Sequence, residues 1–334
     1  MQVEREKLWE YDAVVVGQEG ALTHVPITAD NIRAYALAAQ HHHTRYVEPE
    51  TYTDYTQAVV AMPSMVLAYA PLLRYDIASN NGLVALEESK TARRQTPFAK
   101  CEIRWFQPVV AGDTIAASRR VLDKYERRGS KFVTFRVEAA NQRGDKVAEY
   151  DYTCIFEYAK GRQEVPPAAP ASEPEPLAVS PGHPVAEAAR RLAFDDMTIG
   201  DVLPGLHIAE NQETINRYND VRLAGKPSSS NIHTDEAFAR QNIFGGAVNA
   251  GPATLSYVDQ VLELSFPLRS FYNGGSVLMR AIEPFRAGDV VTMQAEVTDK
   301  RRESGYRLVT CRIRGINQRG DLVCLSDATL NLPE

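Results

Sequence analysis

Hydrophobic and polar residues alternate along several stretches of this 334-residue chain, as expected for strands with one buried face. Within residues 131–139, Phe135 and Val137 alternate with polar side chains, and residues 307–315 alternate in the same way. The sequence Asn-Gln-Arg-Gly-Asp follows each stretch and favours a hairpin turn. Another apolar stretch follows each turn. The pattern therefore predicts antiparallel strands in both halves of the chain.

Apolar residues spaced three or four positions apart precede the strands in each half, which indicates helices. In the first half this stripe begins after Thr28, a residue suited to cap a helix, and includes Tyr35. In the second half Tyr218 occupies the matching position. A longer helix is predicted after Gly251, with Pro252 suited to its first turn. Its inward-facing residues are predicted to be Leu255, Val258 and Leu262. Each half thus reads as short helices, one longer helix and a run of strands, an α+β architecture.

The two halves are copies of one another. Residues 104–153 and 280–329, compared without gaps at a shift of 176, are identical at 20 of 50 positions. Ordinary amino-acid usage predicts about one match in twenty. The motif Pro-x-x-Ala-Gly-Asp occurs in both copies. The chain therefore contains a duplicated domain.

A proline-rich segment separates the copies. Residues 164–184 hold seven of the 19 prolines, which favours a semi-stiff connector. We predict an N-terminal domain over residues 1–160, a linker over 161–185 and a C-terminal domain over 186–334.

Composition narrows the function. The net charge is −6, from 37 basic and 43 acidic residues, which disfavours nucleic-acid binding driven by bulk charge. No run of about 18 apolar residues is present, and the first residues are charged where a signal peptide is apolar. The four cysteines are scattered and form no zinc-binding pattern. We expect a protein of the reducing cytoplasm, without a membrane or nucleic-acid partner and without a cofactor.

Candidate chemistry concentrates in residues 218–252. His233 lies between a Gly/Pro/Ser-rich loop and a predicted helix start, and a neutral imidazole there can exchange a proton near pH 7. The simpler interpretation is a polar residue that caps local structure. Residues 243–252 contain Gly245 and Gly246, which allow the backbone to approach a ligand closely, or which only form a tight turn with positive φ.

The sequence SNIHTDEAFARQNIFGGAVNAG, at residues 230–251, resembles the signature of the MaoC-like, or (R)-specific enoyl-CoA hydratase (hydratase 2), family. The repeated Pro-x-x-Ala-Gly-Asp motif is also typical of that family. The resemblance implies a double hotdog, in which each half wraps a curved antiparallel sheet around a central helix. It also implies reversible hydration of a 2-enoyl-CoA, or of a carrier-bound equivalent, by a lyase. The substrate would be a small acyl thioester, and the chain could form a homo-oligomer.

The resemblance also assigns residues. His233 matches the family's histidine, and the amide that holds the thioester oxygen falls on Ala250 or Gly251. Substrate contacts are expected at Gly245, Gly246 and Tyr218 as well. The family's aspartate and asparagine fall on two serines, which makes these the remaining catalytic candidates: Ser228 and Ser230.

The serine at position 228 is a departure from the family, because a neutral hydroxyl cannot replace a carboxylate as a base. Either His233 acts alone or with another group, or the chemistry differs. The alternatives are an isomerase, cyclase or thioesterase on an acyl thioester, and a non-catalytic acyl-CoA-binding protein. Arg222 and Lys226 lie in the same loop region, where they could meet a phosphate or a carboxylate.

The matching loop of the first half has lost the catalytic pattern. Tyr46 stands in the place of the histidine, and His41 in the place of the aspartate. His41, His42 and His43 are consecutive and cannot share one face of a helix or strand, so no metal site is predicted. We expect His41 to line a cavity shared by the two halves.

Overall fold

Ten antiparallel strands form one continuous sheet in the computed structural model, which describes residues 6–47, 58–161, 163–165, 192–226 and 230–333. In chain order the strands are β1 (Thr23–Pro26), β2 (Phe98–Trp105), β3 (Thr114–Arg127), β4 (Ser130–Ala140), β5 (Lys146–Glu157), β6 (Leu206–Ala209), β7 (Ser276–Ala281), β8 (Val290–Glu303), β9 (Tyr306–Asn317) and β10 (Leu322–Asn331). Across the sheet they are ordered β1-β3-β4-β5-β2-β7-β10-β9-β8-β6. The second half therefore repeats the first in reverse order.

Strands β2 and β7 join the two halves. In this pair Glu102 lies opposite Leu278, and these numbers differ by 176, the shift that relates the two copies. Equivalent residues face one another only where a two-fold axis passes. The halves are thus arranged with pseudo-two-fold symmetry, and the pairing covers a sheet edge that each half would otherwise expose.

Eight α-helices are described, and the main ones pack on the inner face of the sheet. They are α1 (Ala29–Ala38), α2 (Thr44–Val47), α3 (Val66–Tyr69), α4 (Arg74–Asn80), α5 (Gln212–Asp220), α6 (Glu236–Ala239), α7 (Gly251–Glu263) and α8 (Arg269–Tyr272). The predicted cap is confirmed, since Thr28 accepts a hydrogen bond from the amide of Asn31. Among the described residues no helix is long and apolar enough to cross a membrane.

Helix α7 is the central helix of the second half and begins where the sequence predicts. The predicted inward-facing residues Leu255, Val258 and Leu262 are fully buried. The alternating stretches are also confirmed, because Phe135 and Val137 of β4 are fully buried while the Asn-Gln-Arg-Gly-Asp segments form hairpin turns.

The prediction of one longer helix in each half is wrong for the described part of the first half. There the chain forms a 3-10 turn at Pro63–Met65, then the single turn of α3, and α4 begins only at Arg74. Pro71 explains the break, because it lacks an N–H and disfavours helical backbone at the residue before it. Leu73 then adopts a left-handed conformation, with φ of +48°.

The predicted linker lies largely outside the described residues. The domain boundaries given above therefore stay a prediction.

Candidate active site

His233 lies in the loop between α5 and α6, where the backbone holds it in one orientation. The side chain of Asn231 accepts the amide N–H of His233 at 2.8 Å. The imidazole Nδ1 is 2.8 Å from the carbonyl oxygen of Val248. Because a carbonyl can only accept, Nδ1 carries the proton of the neutral ring and Nε2 presents its lone pair.

The electrostatic surroundings keep this ring neutral. Burial lowers the pKa of His233 to about 4, and the positive charges of Arg74 and Arg222 act in the same direction. The hydrogen bond to Val248 opposes this shift only in part. At neutral pH His233 is therefore an uncharged base, and its Nε2 has no hydrogen-bond partner among the described residues.

Two cavities meet at His233. The tyrosine cavity, of about 660 Å³, takes its name from five tyrosines in its lining: Tyr35, Tyr75, Tyr150, Tyr152 and Tyr218. The basic cavity, of about 830 Å³, takes its name from five cations in its lining: Arg74, Lys100, Arg127, Lys160 and Arg280. The residues that line both cavities are Arg74, Gln95, Tyr152, His233 and Pro252.

The amino end of α7 lies at the same junction. Ala250 lines the tyrosine cavity, and Gly251 lines the basic cavity. The amide of Ala250 donates to the side chain of Asn249 at 2.8 Å, whereas the amide of Gly251 has no acceptor within the described ranges. Of the two amides proposed from the sequence, only that of Gly251 lacks an acceptor in the described ranges, and it lies at the positive end of a thirteen-residue helix.

Glycine at position 251 is required by packing across the two halves. A Cβ atom there would lie 2.3 Å from Cδ1 of Phe98, which comes from β2 of the first half. The helix end and this ring are therefore in direct contact, and any larger residue would separate them.

A buried carboxylate, that of Glu210, holds the residues at the amino end of α7 in place through hydrogen bonds. Glu210 accepts hydrogen bonds from Asn249 at 2.8 Å and from the hydroxyls of Tyr257 and Thr214. Burial raises the pKa of Glu210, although these hydrogen bonds act in the opposite direction. The sequence gives no signal for Glu210, which nevertheless orients the side chain that engages the amide of Ala250.

Ser230 lines the tyrosine cavity, but its hydroxyl is engaged in the structure of the loop. It donates to Asp235 at 2.6 Å, and Asp235 accepts the amide of Phe238 at the start of α6. Arg93 from the first half donates to the carbonyl oxygen of Ser230 at 2.6 Å. The hydroxyl that the sequence makes a catalytic candidate is thus hydrogen-bonded within its own loop, and its catalytic role stays a prediction. Ser228 lies outside the described residues.

The expectation that Gly245 and Gly246 contact the substrate is not supported by their positions. Neither contributes to the lining of the two cavities. Gly245 has φ of +68°, and a Cβ there would lie 2.5 Å from the carbonyl oxygen of Gln163. A Cβ on Gly246 would lie 3.1 Å from Val165. The two glycines form a tight turn on which the chain beyond the first half rests.

His41 is also placed elsewhere than expected. It is buried, lines neither cavity, and has Nε2 3.6 Å from a carboxylate oxygen of Glu263 near the end of α7. Tyr46 donates to the same carboxylate at 3.0 Å, and Arg45 lies 3.7 Å from it. Although burial acts to raise the pKa of Glu263, the contacts with His41 and Arg45 hold it below its usual value. The described residues hold no group of three side chains suited to bind a metal.

Tyr218 lines the tyrosine cavity, and its hydroxyl is 3.1 Å from that of Tyr35. Its expected contact with the substrate stays a prediction. The first half contributes three residues to the junction that were not predicted from the sequence: Arg74, Gln95 and Tyr152. The repeat did single out Tyr152. When the two copies are aligned, it corresponds to Ala328, although the aspartate before it and the threonine after it are identical in both copies. The two halves therefore differ at this position within an otherwise identical triplet.

Two family profiles match the chain. Residues 14–150 match the FAS1-like dehydratase domain region, and residues 208–316 match the MaoC-like domain. A search of curated proteins finds no match.

Solved structures share the fold over almost the whole chain. A protein described as a MaoC-like dehydratase is 16% identical, with a TM-score of 0.68, and the alignment covers 95% of this chain and 98% of that one. A conserved hypothetical protein of Mycobacterium tuberculosis, described as a double hotdog, is 12% identical, with 97% and 98% covered and a TM-score of 0.61. A Lactobacillus plantarum protein provisionally named an oleoyl thioesterase is 12% identical, with 95% and 98% covered and a TM-score of 0.52. The first half therefore carries a FAS1-like dehydratase domain region and the second half a MaoC-like domain, and the chain has the double-hotdog fold.

Proposed function

We propose that the protein is a hydro-lyase that adds water reversibly to a 2-enoyl thioester, with His233 as a proton-transfer residue. One observation carries the proposal. Neither Nε2 of His233 nor the amide of Gly251 has a hydrogen-bond partner among the described residues, and both groups lie at the junction of the two cavities. A base and an oxyanion donor are the two groups that this reaction needs.

The cavities suggest how the substrate would lie. The basic cavity carries four cations and one acidic residue, Glu283, beyond the residues that it shares with the tyrosine cavity. That charge suits the phosphates of CoA, or of a carrier's phosphopantetheine. The acyl chain would then enter the tyrosine cavity, with the thioester carbonyl at the junction.

The chemistry follows from this placement. The Gly251 amide would hydrogen-bond to the thioester oxygen, where negative charge develops as water attacks C3. The neutral His233 would accept a proton from that water at Nε2. A rigid amide at a helix end stabilises the enolate without reorganisation, which is the main source of rate enhancement in such sites.

The same geometry could serve a thioesterase, in which water attacks the carbonyl carbon instead. The absence of the family's carboxylate at Ser228 and the structural likeness to a protein named as a thioesterase keep this second candidate in view. The products distinguish the two activities, because only hydrolysis releases a free thiol.

The test is a hydration assay with crotonyl-CoA and longer, branched and carboxylated 2-enoyl-CoA esters. Loss of the enoyl absorbance and release of thiol are followed together for the wild type, His233→Ala and His207→Ala. His207 on β6 bonds to Thr292 and lies outside both cavities, so its variant is the control. We expect hydration in the wild type and His207→Ala, and its loss in His233→Ala. Thiol release without hydration, or full activity in His233→Ala, would overturn the proposal.

A further inference from the structure

The five tyrosines of the tyrosine cavity differ in what their hydroxyl groups contact. Those of Tyr35 and Tyr218 lie 3.1 Å apart. The hydroxyl of Tyr75 accepts the amide of Lys226 at 2.9 Å, and that of Tyr150 donates to the carbonyl of Ala70 at 2.6 Å.

Tyr152 is the exception. In the part of the chain that the structure describes, its hydroxyl has no hydrogen-bond partner, although its side chain is only half-buried and lines both cavities. A phenol that faces a cavity beside a candidate base is available to a bound ligand.

The surroundings of Tyr152 connect it to the other groups of the site. Its ring packs edge-on against Phe98, with centroids 4.9 Å apart, and Phe98 in turn contacts Gly251. Arg74 lies on the other element that reaches the junction from the first half, and it is fixed by Glu87 at 3.0 Å and by the sulfur of Cys154 at 3.0 Å. Strand β5 and helix α4 therefore bring a hydroxyl and a fixed positive charge to the site that carries His233.

We propose that Tyr152 is the second proton-transfer group of the reaction and that it supplies, from the first half, the role that the family's aspartate would have at position 228. The inference rests on the proposed function, because it needs a 2-enoyl thioester at the junction.

The step balances as follows in the direction of hydration. Water forms a bond to C3 through its oxygen and gives one proton to Nε2 of His233, while the C2–C3 π electrons move toward the thioester oxygen. The enolate then takes a proton at C2 from the Tyr152 hydroxyl. The phenolate recovers a proton from the imidazolium, directly or through a water, so that one water has been added and both groups are restored.

The electrostatics fit this role. Burial raises the pKa of Tyr152 well above its usual range, so the hydroxyl is protonated and able to donate at neutral pH, while the Arg74 guanidinium acts in the opposite direction. Arg74 thus favours the transient phenolate. It also disfavours the imidazolium of His233, which helps to return the proton.

The first test is Tyr152→Phe, assayed beside Tyr46→Phe as a control that removes a phenol hydroxyl outside both cavities. We expect kcat of Tyr152→Phe to fall about 100-fold or more, with KM changed less than about threefold, since general acid–base groups typically contribute 10²–10⁴-fold. Tyr46→Phe should retain its kcat.

A second measurement separates proton transfer from a structural effect. Incorporation of 3,5-difluorotyrosine at position 152 keeps the ring and lowers the phenol pKa, so the alkaline fall of kcat/KM should move to lower pH. An unchanged kcat in Tyr152→Phe, or an unmoved alkaline limb in the fluorinated enzyme, would overturn the role of Tyr152 while leaving His233 and the hydration activity in place. An inactive wild type would overturn the proposed function itself.

Discussion

The loop that follows the first helix of each half can be compared at equivalent positions. At the shift of 187 that aligns the two loops, Tyr46 corresponds to His233. Tyr46 is fully buried and its hydroxyl donates to the carboxylate of Glu263. His233 is half-buried and lines both cavities, and its Nε2 has no partner in the described ranges. The two positions thus differ in residue type and also in their surroundings, because His233 lines two cavities and Tyr46 lines neither.

The helix starts differ in the same way. In the first half the amide of Ser64, in the turn before α3, donates to the carboxylate of Asp259 at 2.5 Å. In the second half no described residue accepts the amide of Gly251. Asp259 and Glu263 both lie on α7, one turn apart. The first-half positions are therefore closed by acidic side chains of the second half's central helix, whereas the equivalent positions of the second half face the two cavities.

The largest effect is expected from Gly251→Ala, which tests whether the open helix end is needed. The added methyl group would clash with Phe98, so the helix end must move. Overpacking of this kind typically costs about 1–3 kcal/mol, and a displacement of about 1 Å at a reacting centre costs about 100-fold in rate. Hydration kinetics and urea unfolding would measure both effects. The double variant Gly251→Ala/Phe98→Leu should recover part of the lost stability; wild-type activity in the single variant would contradict this account.

The second prediction concerns the pH dependence of the free energy of unfolding, to which His233 contributes and Tyr46 does not at these pH values. The folded-state pKa of about 4 lies below the ordinary value of 6.5, so the unfolded chain binds more protons between these values. This contribution to the free energy of unfolding is fully present above pH 6.5 and is lost as the pH falls toward 4. Its size is on the order of 3 kcal/mol at most. Urea unfolding at pH 7.5, 5.5 and 4.5 should show a steeper loss for the wild type than for His233→Gln; parallel curves would refute the shift.

The elements that this comparison uses could be predicted from the sequence, because each is determined by residues close together along the chain. The Gly-Pro pair and the apolar spacing identify α7, and the turn motif identifies the hairpins, because each depends on neighbours within a few positions. His233 was found through a continuous motif.

The remainder depends on contacts between distant residues. Tyr150 and Tyr152 are two positions apart on one strand and look alike in the sequence. Within the described residues, however, Tyr150 has a carbonyl partner for its hydroxyl and Tyr152 has none. His41 belongs to a conspicuous run of three histidines, but Glu263 from α7 determines its surroundings. No local sequence pattern predicts which tyrosine hydroxyl lacks a hydrogen-bond partner or which histidine is buried.

The third prediction tests whether the closed site is only structural. Tyr46→Phe removes a hydrogen bond to the buried carboxylate of Glu263, while His41 and Arg45 still face it. We expect a loss of about 2 kcal/mol in the free energy of unfolding, as is typical of hydrogen bonds to charged groups. The hydration rate should not change. Urea unfolding and the enoyl-CoA assay together test this; a tenfold fall in kcat would show that the first-half loop takes part in catalysis.

The smallest effect is expected from Ser230→Ala, which tests whether the Ser230 hydroxyl takes part in catalysis or only holds the loop in place. The hydroxyl donates to Asp235, but Asp235 keeps its hydrogen bond with the amide of Phe238, and Arg93 keeps the carbonyl of Ser230. Because these backbone contacts survive, the loop should retain its shape, and kcat should change by less than roughly threefold. Asp235→Ala is the matched control, since it removes the other partner of the same hydrogen bond together with the α6 cap, and it should have the larger effect on thermal unfolding. A fall of 100-fold in kcat for Ser230→Ala at unchanged stability would instead make the serine a catalytic group. The second group beside His233 would then come from the loop of His233 itself, and not from Tyr152 in the first half.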